Sequence, residues 1–239
     1  VEKVWAAIKE LGYRPDAIAR GLSSSRSDTV GVFLEDISLP WAAEYLAGLE
    51  RVLSRHGVDI ILRATGGDPQ QRYNALSGLL SRRVDGFILF DNGPAPEADI
   101  PSVTVGPKRE GGHTVSVDLG SAAAQLARLA DGRAVELFQG ENPFFPGIGA
   151  LLPGDALKKE GIVRLFDGLL PPGDGTSPGD TVVISATRRC PAVPPGAWKL
   201  YWPAFELGTL SARLLLNIIQ GKGVRPPVVS VLPALSGPL

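Results

Sequence analysis

An α/β architecture built on a parallel sheet is what this chain predicts, and three observations carry the prediction. From Thr29 onward, short apolar runs alternate with stretches of helical periodicity, the rhythm of βαβ units. The runs are nearly continuous in apolar residues, as in strands covered on both faces. The helical stretches also carry start chemistry, most clearly Asp68 followed by Pro69, an N-cap and first-turn pair.

Taken in order, TVGVFLED (29 to 36) reads as the first strand and WAAEYLAGLERVLSRHG (41 to 57) as the helix after it, with Tyr45, Leu49, Val52 and Leu53 facing inward. VDIILRA (58 to 64) is the second strand, DPQQRYNALSGLLSRR (68 to 83) the second helix and DGFILFD (85 to 91) the third strand. PSVTVG (101 to 106) and HTVSVDL (113 to 119) continue the sheet, and SAAAQLARLA (121 to 130) returns as a helix. The second half is less regular. AVELFQG (134 to 140), DTVVISA (180 to 186) and PVVSVLP (227 to 233) read as strands, and FELGTLSARLLLNIIQGKG (205 to 223) as a strong helix. The segment between residues 140 and 180 has few periodic positions and contains PPGDGTSPGD, so it reads as loop.

Composition sets the class. The 239 residues are 44% hydrophobic, enough for one large domain or two lobes with a real core. No apolar run is long enough to span a bilayer, and no basic region followed by an apolar block opens the chain, so the expectation is a cytoplasmic protein with no membrane partner. Cys190 is alone, and His56 and His113 are the only histidines, which excludes an internal disulfide and argues against a Cys/His zinc site. A net charge of -1 argues against a protein that coats nucleic acid over its whole surface, while leaving room for a local basic element. The chain contains no Met, from which we expect residues upstream of Val1 in the intact gene product.

The N-terminal stretch does not fit a hydrophobic core. Val1, Val4, Trp5, Ile8 and Leu11 have helical spacing, and Gly12 follows as a C-cap. Pro15 suits the first position of a second, very short helix carrying Ile18 and Leu22 one turn apart, and residues 23 to 28 form a polar tether. So short a helix cannot persist alone in water, so something it touches must order it.

The residues AAIKELGYRPDAIARGL, SDTVGVFLEDISLPWAAEYLAGLERVLSRHGVDIIL, GGDPQQRYNALSGLLSRRVDGFIL and VSVDLG carry a resemblance to the LacI/GalR family of bacterial transcription regulators. It is continuous to about residue 91, patchy past Arg133, and echoed weakly in FELGTLSARLLLNIIQGKG and VLPAL. The resemblance implies a two-lobed, periplasmic-binding-protein-like (type I) core with doubly wound parallel sheets. It divides the chain into a remnant of a helix-turn-helix headpiece (1–12), a hinge helix and linker (13–28), an N-terminal lobe (29–131 and 203–223) and a C-terminal lobe (132–202 and 224–239) that is short against the usual family length. It also implies a homodimer whose paired hinge helices enter the DNA minor groove, with Tyr13, Ile18, Arg20 and Leu22 facing DNA and Leu22 wedged between base steps. The first two headpiece helices have no counterpart here, so operator recognition is expected of the full-length protein.

Ligands of open α/β folds bind beyond the carboxyl ends of the strands. The effector-binding candidates there are Asp36 and Ser38 after the first strand, Trp41 at the start of the next helix, Asp91 ending the third strand and Asp118 before a helix N-terminus. An indole face can stack on a sugar or a purine, and a carboxylate can accept two ligand protons. The competing bland roles are turn or N-cap for the polar residues, and packing for Trp202. The expected function is a ligand-responsive DNA-binding transcriptional regulator, a repressor, that takes a sugar or nucleoside-like effector. A solute-binding protein of the same fold is the alternative. No catalytic motif is present, and no enzyme activity, cofactor or metal is expected.

Overall fold

The computed structural model describes residues 26–90, 93, 99–106, 112–131, 134–138, 162–167, 181–185, 195–224 and 228–237. Two sheets organise it. The first is six-stranded and parallel, in the order β10-β5-β4-β3-β1-β2, where β1 is Thr29–Leu34, β2 Asp59–Ala64, β3 Gly86–Phe90, β4 Ser102–Val105, β5 His113–Val117 and β10 Val228–Val231. The second is five-stranded, in the order β11-β9-β8-β7-β6, with β6 Ala134–Phe138, β7 Ile162–Asp167, β8 Thr181–Ser185, β9 Trp198–Tyr201 and β11 Ala234–Ser236. All its pairs are parallel except β11 with β9.

The central strands of the first sheet are apolar throughout because helices cover both faces. Along β1, Val30, Val32 and Leu34 face the main core, while Phe33 turns to a smaller cluster with Leu79, Val84, Phe87 and Leu89. This is the two-residue side-chain period of a strand. Each fully buried Leu, Ile or Phe here stabilises the fold by about 2 kcal/mol. The helices form where their chemistry allows. α1 (Pro40–Leu53) starts with Pro at its first position and gives way to a short 3-10 turn that Gly57 ends at φ 68°. α2 (Pro69–Leu80) is capped by Asp68, whose carboxylate accepts from the Gln70 amide at 2.8 Å. α3 (Leu119–Ala130) is capped by Asp118 through the Ser121 amide at 2.9 Å.

α4 (Ala204–Ile219) follows β9 but packs on the first sheet, against α1. The two helices touch backbone to backbone. A Cβ at Gly208 would collide with the Tyr45 carbonyl oxygen and sit 3.0 Å from the Leu49 nitrogen, and one at Gly48 would meet the Phe205 carbonyl. Only glycine at both positions permits this approach.

The pairing corrects three expectations. Ile162–Asp167, in the segment read as loop, is a strand paired with both β6 and β8. Val228–Val231, expected in the C-terminal lobe, pairs in parallel with β5 of the first sheet. α3, expected in the N-terminal lobe, packs against β6 and β11 of the second sheet. The chain therefore crosses between sheets three times: at Asp118, at Trp202–Pro203 and at Leu232–Pro233. Trp202, only 1% exposed, packs at its crossing as expected.

Candidate functional site

Because the first sheet is parallel, the ends of β1, β3, β4 and β5 lie along one edge. Its strand order reverses between β1 and β3, the arrangement that opens a crevice at the carboxyl end of a doubly wound sheet. Asp36 follows β1 in an exposed turn, where its Oδ1 accepts from the Ser38 backbone amide at 2.7 Å. That bond, with a smaller contribution from the Ser38 hydroxyl, lowers the carboxyl below its ordinary value of 3.8. Asp36 is thus an anion at neutral pH with acceptor capacity left over, and Ser38 is exposed beside it.

Trp41 is placed differently from the expectation of an open stacking face. Its ring lies 4.5 Å from that of Phe90, at 40°, and meets Tyr45 edge-on at 6.5 Å, leaving it 5% exposed. Phe90 and Tyr45 are themselves 4.9 Å apart, so the three rings form one wedge at the end of β3. The wedge keeps two buried polar atoms without a hydrogen bond among the described residues, Trp41 Nε1 and the Tyr45 hydroxyl. Burial pushes the Tyr45 phenol well above its ordinary range, an effect that the nearby Ser211 hydroxyl opposes. Ser211 gives its own proton to the Leu207 carbonyl at 2.7 Å. A buried donor without a partner costs free energy, so Trp41 Nε1 is the atom of this wedge with most to gain from an incoming acceptor.

Asp118 lies on the same edge three strand spacings from β1, roughly 14 Å away. Its side chain caps α3, while its backbone amide donates to the Val231 carbonyl at 2.9 Å, tying the first crossing to the third. The structure therefore gathers Asp36, Ser38 and Trp41 at the crevice and sets Asp118 at the joint between sheets. Asp91, Tyr13, Ile18, Arg20 and Leu22 lie outside the described residues.

Sequence reasoning missed Phe90 as the partner of Trp41, and it missed Gln125. The Gln125 amide donates to the Pro233 carbonyl at 3.1 Å and accepts from the Leu235 amide at 2.9 Å, stapling α3 to the third crossing. The available signal was a lone amide side chain inside a helix made mostly of alanine and leucine. Among the described residues no group of His, Cys, Asp and Glu could hold a metal ion, and no helix is long and apolar enough to cross a membrane.

Known proteins share this fold. Residues 27–111, which include Asp36, Ser38 and Trp41, match the family described as periplasmic binding proteins and sugar binding domain of LacI family. The chain carries the effector-binding core of the LacI/GalR family. It is 25% identical to the catabolite control protein A of Staphylococcus xylosus, over 97% of this chain and 87% of that protein. It is 31% identical to the protein of the same name from Staphylococcus aureus strain N315, over 78% of this chain but only 56% of the relative. The S. xylosus alignment is 286 residues long, more than the whole 239-residue chain, so the relative carries residues that this LacI-type chain lacks. In fold, the Lac repressor bound to ONPG in the repressed state superposes with a TM-score of 0.77 at 15% identity, covering 99% of this chain and 89% of that one. The regulator CcpA of Lactococcus lactis gives 0.66 at 16% identity, covering 88% and 97%.

Proposed function

We propose that this chain is the ligand-sensing part of a homodimeric, DNA-binding transcription regulator of the cytoplasm. A small polyhydroxylated molecule, sugar or nucleoside-like, binds at the crevice edge of the first lobe. Asp36 accepts from its hydroxyls and Ser38 gives or accepts a further bond. Trp41 offers its ring N–H, which has no partner among the described residues, rather than its face. Asp118 adds a carboxylate on the same edge, and Asp91 is a further candidate from its place in the sequence directly after Phe90. Ligand binding changes how the lobes meet at their three crossings, and that change alters the pairing of the segments carrying Tyr13, Ile18, Arg20 and Leu22 on DNA.

The observation that carries the reading is the extent of the S. xylosus alignment. At 97% of this chain it must take in most of the residues ahead of Ser27, a segment for which a solute-binding protein has no use. The test is titration of the full-length protein against operator DNA in the presence of candidate sugars and nucleosides. A cognate effector is expected to change DNA affinity by roughly 5- to 150-fold, and DNA must change effector affinity by the same factor. DNA affinity that is identical under every ligand would overturn the reading.

A further inference from the structure

The edge of the first sheet opposite the crevice carries chemistry that ligand sensing does not use. There the chain is rooted. The Ser27 amide and hydroxyl both donate to Asp85 Oδ1, at 2.8 and 3.2 Å, and the Thr29 hydroxyl donates to the Ser27 carbonyl at 3.0 Å. The Asp59 amide donates to the Asp28 carbonyl at 2.8 Å, and Arg26 Nη2 to the Ile219 carbonyl at the end of α4 at 3.1 Å. These bonds fix residue 26 on the floor of the first lobe, at the start of β1.

Because β1 lies between β2 and β3, the turns that lead into those strands bracket the root, about 10 Å apart across two strand spacings. One turn carries Arg55 and His56, the other Arg82 and Arg83, and Lys222 follows α4 beside them. All are exposed, and among the described residues no carboxylate pairs with Arg55, Arg82 or Arg83. Of the acids on this floor, Asp85 is occupied by Ser27, while Asp28 and Asp59 at the starts of β1 and β2 and Asp99 ahead of β4 are exposed. The crevice edge is richer in acids, with Glu35, Asp36, Asp68 and Asp118 against Arg63. On the floor, Arg26, Arg55, Arg82, Arg83 and Lys222 outnumber Asp28, Asp59, Asp85 and Asp99, and the N-terminal segment leaves from this side.

We propose that these turns are a second DNA-contacting surface: Arg55, Arg82 and Arg83 of the core itself meet the phosphates of the duplex that the N-terminal segment holds. The inference rests on the DNA-binding reading above. Ser27 is five positions after Leu22, so a duplex engaged by Leu22 lies within about 17 Å of the root. That is close enough for long arginine side chains to reach phosphates and release their counterions. The simpler role for these cations is to offset the carbonyl ends of α1 and α2, and the experiment separates the two.

The affinity of the full chain for a mixed-sequence DNA duplex is measured by fluorescence anisotropy over a salt series. Wild type is compared with Arg55→Glu, with the double change Arg82→Glu and Arg83→Glu, and with the milder Arg82→Gln and Arg83→Gln pair in case the reversals unfold the lobe. Arg63→Glu, near the crevice end of β2, makes the same charge change as Arg55→Glu on the other side. The floor variants are expected to bind roughly tenfold more weakly, with a salt dependence shallower by about one per lost phosphate contact. Arg63→Glu should keep the wild-type salt dependence. The proposal is overturned if the floor variants keep wild-type affinity and salt dependence and lose only thermal stability, if Arg63→Glu weakens binding as much as they do, or if the chain shows no salt-sensitive duplex binding. The regulator reading fails on a different result, insensitivity of operator affinity to ligand, so the two failures are distinguishable.

Discussion

The two sheets of this molecule are built from the same kind of unit and end in different orders. In the first, β2 lies outside β1 while β3 to β5 extend the other way, so loops leaving neighbouring strands go to opposite faces and open a crevice. In the second, β6, β7, β8 and β9 follow one another without reversal. One further strand outside β6 would give it the order of the first, and the S. xylosus relative carries residues that this chain lacks. Matching local pattern does not make matching lobes; the crevice comes from a reversal of strand order, and among the described residues only the first sheet has one.

The lobes are also fastened differently, which gives ways to test the contrast. The largest effect is expected where α1 and α4 touch backbone to backbone. Gly208→Ala drives a methyl into the Tyr45 carbonyl, and separating the helices should cost about 3 kcal/mol in denaturant unfolding. Hydrogen exchange should accelerate through β1 and β3. A neutral result would mean that the first lobe tolerates a wider helix spacing than its glycines imply.

The second lobe is held at the joint by a polar staple. Gln125→Ala leaves the Leu235 amide and the Pro233 carbonyl without that partner, for a loss of about 1–2 kcal/mol. Faster exchange should be confined to α3 and β11; acceleration spread over β1 and β3 as well would show that the two lobes unfold as one unit.

The smallest effect lies at the open crevice edge. The carboxyl of Asp36 is lowered in the folded state, so the stabilisation from its turn is fully present above the ordinary value of 3.8 and is lost as pH falls through the folded value. An NMR pH titration should find that Ser38→Ala raises the Asp36 carboxyl only part of the way, because the backbone amide is the larger cause. A full return to the ordinary value would assign the effect to the hydroxyl instead.

What was legible in the sequence was local. From Thr29 to Phe90 the binary pattern, the Asp68–Pro69 start and the Gly57 stop each agree with the folded elements, because each is decided within a few residues. The chain IVRLFD, apolar and branched enough for a strand, was hidden by the Pro- and Gly-rich run beyond it. Pairing partners were not legible. Val228–Val231 reads equally well as a strand of either sheet, and only its ladder with β5 decides. Trp41 reads as a ligand platform until Phe90, far along the chain, takes up its face. Asp118 read as an effector candidate with a helix cap as its competing role, and it caps α3; its tie to Val231 across the joint depends on a strand more than a hundred residues away.

Three separate passages of chain link the halves, at Asp118, at Trp202–Pro203 and at Leu232–Pro233, and the last two contain a buried ring that fixes one backbone angle. Side-by-side straps of this kind resist shear and torsion far better than a single tether, while leaving flexion about one axis comparatively soft. A peptide bond broken in any one of them would still leave two covalent routes from half to half.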